Sequence, residues 1–454
     1  MKRFSFVAML GGSVEEIVEI VQKDSVVHEV NFAGQDGTLG FGIGHALAQL
    51  GTLGLTPSEK AVDLTLIAAL VNAGDTRVSR AANAQDGWTR EIDLYIPVSA
   101  PDLWRPHGER LTALLRFLTG DRWRFFFRPR PKTHASLVKA VNTLPLDTLD
   151  EVCLFSGGLD SLIGVIDLLK GGKRPLLVSH YWDSETAKAQ AYLLSRLETR
   201  FPGPEIRNLR VRLGFDSNDL GTGETENTQR GRSFLFFALA ALAGSALGRP
   251  TKINVPENGL IALNVPLDPL RFGALSTRTA HPHFIAGMNA LLKDIQIEGT
   301  LVNPYRHATK GEMVENCADL PFLQKEAGNS MSCSSPAKAR FRGLSPRHCG
   351  YCVPCLIRRA SLDAGLGIPD PTQYAVAVSK SQPLFSDRKE GEHVRSFQLM
   401  AKRIVATPAL SSILVHKPGP LGDSASEITA YADVFRRGVI EVGKLLDGVV
   451  TKPH

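Results

Sequence analysis

Cysteine is scarce in this chain, and the long apolar runs of a membrane protein are missing. Six cysteines in 454 residues exclude a disulfide-stapled scaffold, so stability has to come from packed cores. The most apolar stretch, Phe234–Gly248, is too short to span a bilayer and is bounded by Arg232 and Arg249, which predicts a buried helix and no membrane attachment. Met1-Lys2-Arg3 followed by Phe4–Leu10 has the outline of a signal peptide, but the apolar segment is short and no small-x-small cleavage site follows Gly11-Gly12. A first strand and a cytoplasmic location are expected instead. A charged tail is also missing: 52 Lys+Arg stand against 46 Asp+Glu, net +6, without clustering. That balance suits an anionic ligand and does not require nucleic acid. Finally, no Gly-Lys-Ser/Thr tripeptide follows a glycine loop, which excludes a Walker A site.

What remains is a folded chain of ordinary composition, 43% hydrophobic and 22% charged, long enough for two or three domains. Residues 1–147 read as an accessory α+β unit, with strands at Phe4–Leu10, Glu91–Val98 and Arg122–Phe127 and helices at Pro57–Ala73 and Gly108–Leu118. Pro129–Thr133 and Leu144-Pro145 read as a linker. Within this unit Arg122–Arg130 interleaves arginine with aromatics, a pattern that serves either nucleic-acid stacking or a half-buried strand with a basic face; the strand is the preferred reading. Residues 148–370 alternate short apolar strands (Val152–Phe155, Pro175–Ser179, Ile206–Leu213, Lys252–Val255) with helices (Ser161–Lys170, Glu185–Phe201, Ser233–Leu247). This alternation predicts a doubly wound parallel sheet. Residues 371–454 read as a helical extension, with Glu427–Leu446 its clearest helix.

Two motifs carry chemistry. Ser156-Gly157-Gly158-Leu159-Asp160-Ser161 lies between a strand and a helix, where glycines permit close backbone approach and the helix end presents free N–H groups to an anion. The hydroxyls of Ser156 and Ser161 add donors. Asp160 cannot favour a bare phosphate, so it either holds a cation or organises the loop. Cys333, Cys349, Cys352 and Cys355 supply four soft thiolates, the number that closes a tetrahedral zinc site; an iron–sulfur cluster uses the same count. His348 could replace one ligand, and Cys153 and Cys317 read as core residues.

Ser156–Ser161 resembles the SGGxDS loop of the PP-loop ATP pyrophosphatases. Cys349-Gly350-Tyr351-Cys352-Val353-Pro354-Cys355-Leu356-Ile357-Arg358 resembles the CGxCxxCxxR signature of the 7-cyano-7-deazaguanine synthase (QueC) family. Arg230–Leu235 is similar to that family's RN-x-FL helix start, with Ser233 in place of the Asn, and Asn303-Pro304 through Met313 to its P-x(5–6)-K-x-E-[IM] segment. The resemblance covers about residues 150–370, and its nearest likeness is to the longer QueC-like proteins of bacterial anti-phage operons, the Qat type in particular. It implies a HUP-type α/β core with a zinc lobe. It also implies ATP, Mg²⁺ and Zn²⁺ as cofactors, and adenylation of a 7-carboxy-7-deazaguanine-type acid with release of pyrophosphate.

On that resemblance Ser156, Gly157, Gly158, Leu159, Asp160, Ser161 and Arg232 are expected to bind ATP, with Asp160, Ser161 and Lys310 catalytic. Glu257 and Asn258 are candidates for reading a purine edge. Arg278, His281, His283 and Phe284 stand where the family carries its substrate segment, although the two histidines replace an Arg and a Glu there. That departure, with the added flanks, leads to the expectation that the amine acceptor belongs to a partner protein from the same operon. The alternatives are an ordinary 7-cyano-7-deazaguanine (preQ0) synthase, a tRNA-modifying PP-loop enzyme, and a non-catalytic docking module.

Overall fold

Two parallel sheets organise the chain in the computed structural model, which describes residues 2–454 except 12–17, 35–36, 85, 140–148, 204–205, 217–219, 221, 223, 269–277 and 423. The expected boundary at 147/148, the Leu144-Pro145 linker and Ser276-Thr277 lie outside the described residues.

The N-terminal part runs β1 (Arg3–Met9), β2 (Val26–Asn31), α1 (Ile43–Thr52), α2 (Glu59–Arg77), α3 (Arg80–Asn83), β3 (Glu91–Val98), α4 (Pro101–Trp104), α5 (Gly108–Thr119) and β4 (Arg122–Pro129). Its four strands pair in the order β2-β1-β3-β4, every neighbour parallel. The α+β expectation is therefore corrected to α/β. The physical reason is visible in β1 and β3, which are buried along nearly their whole length, as strands covered on both faces by crossover helices must be. The arginines of Arg122–Arg130 are spent internally. Arg122 meets Glu91 at 3.0 Å, Arg124 Nε donates to Asp93 at 2.7 Å, Arg128 donates to the Ala8 carbonyl at 2.6 Å, and Arg130 pairs with Glu59 and Asp63. The half-buried strand is what the chain adopts.

The second sheet uses β5 (Glu151–Leu154), α6 (Leu159–Lys170), β6 (Pro175–His180), α7 (Ser184–Arg200), β7 (Arg207–Val211), α8 (Arg232–Ala246), β8 (Lys252–Asn254), α9 (Gly259–Leu263), α10 (Pro282–Asp294) and β9 (Thr300–Val302). All pairs are parallel, in the order β7-β6-β5-β8-β9. This is the doubly wound order 3-2-1-4-5, whose topological switch lies between β5 and β8; ligands bind such sheets at the carboxyl ends beside that switch.

Helices α2 and α8 explain how the two sheets meet. Both are buried along nearly their whole length, and α8 is apolar almost all round, which fits a helix enclosed on every side. They pack on each other, and one hydrophobic core runs from Phe4 and Phe6 of β1 through α2 and α8 to Val152 and Leu176 of the second sheet.

The remainder comprises α11 (Lys310–Glu315), α12 (Leu320–Glu326), α13 (Val353–Gly365), β10 (Leu384–Phe385), α14 (Lys389–Ala406), α15 (Leu410–Leu414), α16 (Ala425–Leu445) and β11 (Thr451–Lys452). A second core joins Leu356 and Ile357 of α13 and Leu260 of α9 to Phe397, Val434 and Phe435 of the C-terminal helices. The helical extension is thus packed onto the body, and no helix among the described residues is long and apolar enough to cross a membrane.

Candidate functional site

The loop Ser156–Ser161 leaves the carboxyl end of β5 at the switch point. Gly157 has φ +80°, and a Cβ there would sit 3.0 Å from Gln190 Cγ, so only glycine fits without strain. Gly158 is the N-cap of α6. The amides an anion would take are met by hydroxyls: Gly158 N–H donates to Ser156 Oγ at 3.3 Å and Leu159 N–H to Ser332 Oγ at 3.2 Å. Ser161 Oγ donates to the Gly158 carbonyl at 3.0 Å and lies 3.1 Å from Ser156 Oγ. Gln190 braces the loop from α7, donating to the Ser156 and His180 carbonyls.

The loops after β5 and β8 converge on Asp160. Its Oδ2 accepts from the Asn258 amide at 3.1 Å and from Asn258 Nδ2 at 2.7 Å, and Lys310 Nζ lies 2.7 Å from Oδ1. The two charged side chains are 3% and 7% exposed. Burial alone would raise the Asp160 carboxyl, but the Lys310 ammonium and the hydrogen bonds from Glu257, Lys310 and Asn258 hold it below the usual range. Glu257 goes the other way: burial, then the Asp160 charge, pushes it well above the usual range. The two carboxyls are thus pushed in opposite directions, Asp160 towards its charged form and Glu257 towards its protonated one. Asp160 is therefore a loop organiser that aims Lys310. Asp160 and Glu257 are the carboxylates of this cluster, the donor type a hard divalent cation takes.

Lys310 opens α11, whose start is fixed twice. Thr309 and Glu312 form a capping box. From α16, Glu441 accepts Thr309 Oγ1 at 2.6 Å and the Gly311 amide at 3.1 Å, while Arg437 donates to the His307 carbonyl at 2.8 Å and pairs with Glu312. The C-terminal helix thereby sets the position of the lysine.

The four cysteines form one cluster, their sulfurs all within 4.8 Å of one another. Cys333–Cys352 is 4.0 Å and Cys349–Cys355 is 3.8 Å, close to the ~3.8 Å edge of a tetrahedron with Zn–S near 2.3 Å. Backbone N–H groups of Cys349 and Cys352 donate to the Cys333 and Cys349 sulfurs at 3.3 Å, as thiolate ligands require. The donor set fits a zinc ion. The lobe also reaches the Ser156–Ser161 loop: Met331 N–H donates to the Gly157 carbonyl at 2.8 Å, and fully buried Arg358 donates to Ser330 and Ser332 at 2.8 and 3.2 Å. Ser332 in turn holds the Leu159 amide.

No protein-family model matches this chain, and no curated protein matches it either.

The structure brings Ser156–Ser161, Glu257, Asn258 and Lys310 together, and separately the four cysteines. Asn258 is committed to Asp160 and to capping α9 through Ile261 N–H at 3.1 Å, so it has no free edge for a purine. The family-derived substrate segment is engaged elsewhere. Arg278 donates to the Phe117 carbonyl at 2.7 Å, His281 caps α10, His283 packs on Phe117, and Phe284 is fully buried against Phe237. Burial, with the Arg278 charge next, takes His281 down to about 3. His348 accepts the Ser332 amide at 3.1 Å and is not one of the clustered ligands. Arg232 faces a cavity beside the carboxyl end of β6. Gln190, Ser332 and Glu441 were not singled out from the sequence; only Ser332, one residue before Cys333, carried a local signal.

Proposed function

We propose that the protein is a PP-loop ATP pyrophosphatase with a HUP-type core that adenylates a 7-carboxy-7-deazaguanine-type acid. The carrying observation is the convergence of the Ser156–Ser161 loop, the β8 loop and Lys310 at the switch point of a 3-2-1-4-5 sheet. The acid's carboxylate oxygen attacks the α-phosphorus of ATP, the bond to the β-phosphate oxygen breaks, and pyrophosphate leaves with the electron pair. Loop N–H groups, now satisfied by Ser156 and Ser332, are the donors for the departing phosphates, and Lys310 adds a fixed positive charge. Mg²⁺ supplies further charge neutralisation when bound. An amine then attacks the acyl carbon, AMP departs and the nitrogen releases a proton, giving an amide. We assign the amine to a partner protein of an anti-phage operon, as the resemblance to the longer QueC-like proteins suggests.

The test is ATP–pyrophosphate exchange dependent on the acid. Asp160→Ala, which removes the anchor of Lys310 and Asn258, is expected to abolish exchange while the protein stays folded. Full exchange by that variant overturns the assignment.

A further inference from the structure

A second cavity, of about 150 Å³, opens between α2 and the carboxyl ends of β6 and β7. It joins the phosphate loop through Gln190, which bonds both Ser156 and His180. Several of its polar groups are unmatched. The Arg232 guanidinium has no hydrogen bond or ion pair among the described residues and feels an attraction from Asp183; a guanidinium keeps its proton even where burial disfavours the charge. His180 is 4% exposed, and its Nε2 meets the Leu213 carbonyl at 2.8 Å. That contact fixes the proton on Nε2 and leaves Nδ1 as an acceptor, buried and without a partner. Burial, with Arg232 next, lowers His180 to about 4, so the ring is neutral. Arg77 Nε is likewise buried and unpartnered, and the amide of Asn72, 7% exposed, has no partner among the described residues. The carboxylate in the lining, Glu226, is already turned onto the amides of Arg80 and Thr228 at 2.9 and 3.1 Å. It does not neutralise Arg232.

We infer that this cavity is the pocket for the acid substrate, and that the N-terminal part of the chain, through Asn72 and Arg77 of α2, builds one wall of it. This rests on the adenylation reading above. The unmatched groups specify the ligand class: an anion for Arg232, an N–H donor for His180 Nδ1, and a flat ring against the indole of Trp182 in the lining. Those are the features of a planar nitrogen heteroaromatic carboxylic acid. A cavity of this volume admits one benzene-sized ring, so it takes the ring nearest Trp182 and has no room for a nucleoside triphosphate. Helix α2 also fixes the cation. Asp75 Oδ2 accepts the Gly231 amide at 2.7 Å, directly before Arg232, and Asp75 itself is held by Arg90 at 2.8 Å in a fully buried pair.

The experiment is calorimetric titration of the full chain, without ATP, with 7-carboxy-7-deazaguanine and its uncharged carboxamide. Wild-type protein is expected to prefer the acid. Arg232→Gln is expected to bind the acid about tenfold to a hundredfold more weakly and to lose the preference, because a hydrogen bond to a charged group is removed. Asn72→Leu should weaken acid and amide together. Thermal melts of the same variants, unchanged from wild type, separate a lost pocket from a lost fold. No acid binding by wild type, equal binding of acid and amide, or an Arg232→Gln variant that keeps the preference each overturns the inference. Acid binding with these preferences but no pyrophosphate exchange leaves the pocket standing and removes the adenylation reading; intact exchange with no effect of Arg232→Gln does the reverse.

Discussion

Replacing Lys310 by methionine tests the arrangement on which the site depends. The substitution keeps most of the side-chain volume and removes the charge, leaving Asp160 facing Glu257 with no cation. Because the pair is 3% and 7% exposed, its loss falls in the range for breaking a buried ion pair, about 3–5 kcal/mol, and not the fraction of a kcal/mol of a surface pair. The cost should depend on pH in a definite direction. In wild-type protein the Asp160 carboxyl is depressed, so it contributes stability above its unfolded value of about 3.9 that is lost as pH falls through the folded value. Without Lys310 the raising effect of burial on that carboxyl is no longer offset by a cation, and the variant loses stability as pH rises through the new value. The gap between the two proteins therefore widens from pH 5 to pH 8. Urea unfolding at both pH values measures it, and the double variant Asp160→Asn/Lys310→Met should lose clearly less than the two single losses added. A variant within about 0.5 kcal/mol of wild type at pH 8, or a gap independent of pH, refutes the buried-pair argument.

Two further outcomes follow from the same geometry. Metal analysis should give about one zinc per chain, and Cys355→Ser should lose the metal together with tight ATP binding, since the cysteine lobe holds Ser332 and Met331 against the phosphate loop; iron with acid-labile sulfide would contradict the zinc assignment. Glu257→Gln should be more stable than wild type at pH 8 and no better at pH 5, because a raised carboxyl loses its stabilisation as pH climbs towards its folded value, and the amide N–H still donates to Asp160; equal stability at both values counts against the neutral-acid assignment.

The legible part of the fold was local. Glu91–Val98 and the strand–glycine–helix run at residues 151–170 are each decided by a few adjacent side chains, and they form as the pattern predicts. Val26–Asn31 escaped notice because an edge strand with mostly exposed positions has no clean alternation, and Thr300–Val302 is too short to show a period. In the site, Ser156–Ser161 and the cysteines were readable from spacing alone. Glu441 was not, since it meets Thr309 across more than a hundred residues of chain and nothing near it in sequence marks the contact. His281 and Phe284 were assigned to substrate from the family segment they align with; the residues they pack on, Phe117 and Phe237, come from other elements and leave no mark near them in sequence.

That same long-range packing changes how a partner-protein acceptor must be tested. From sequence, the flanking segments read as additions to a core, which makes deletion of residues 1–147 the natural test of whether they dock a second polypeptide. In the folded chain α2 covers α8, a helix with hardly any exposed side, and supplies Asn72 and Arg77 to the cavity that Arg232 faces. Deletion would bare that apolar helix and dismantle the pocket wall together, so lost activity would say nothing about docking. Removing α16 would likewise free the start of α11 and release Lys310. The informative experiment keeps the chain whole. Ammonia and a candidate partner protein compete for the same adenylate, and mass spectrometry reads whether the acyl group is found as a free amide or as mass added to the partner. Product only with ammonia, at every partner concentration, defeats the protein-acceptor reading while leaving the adenylating site untouched.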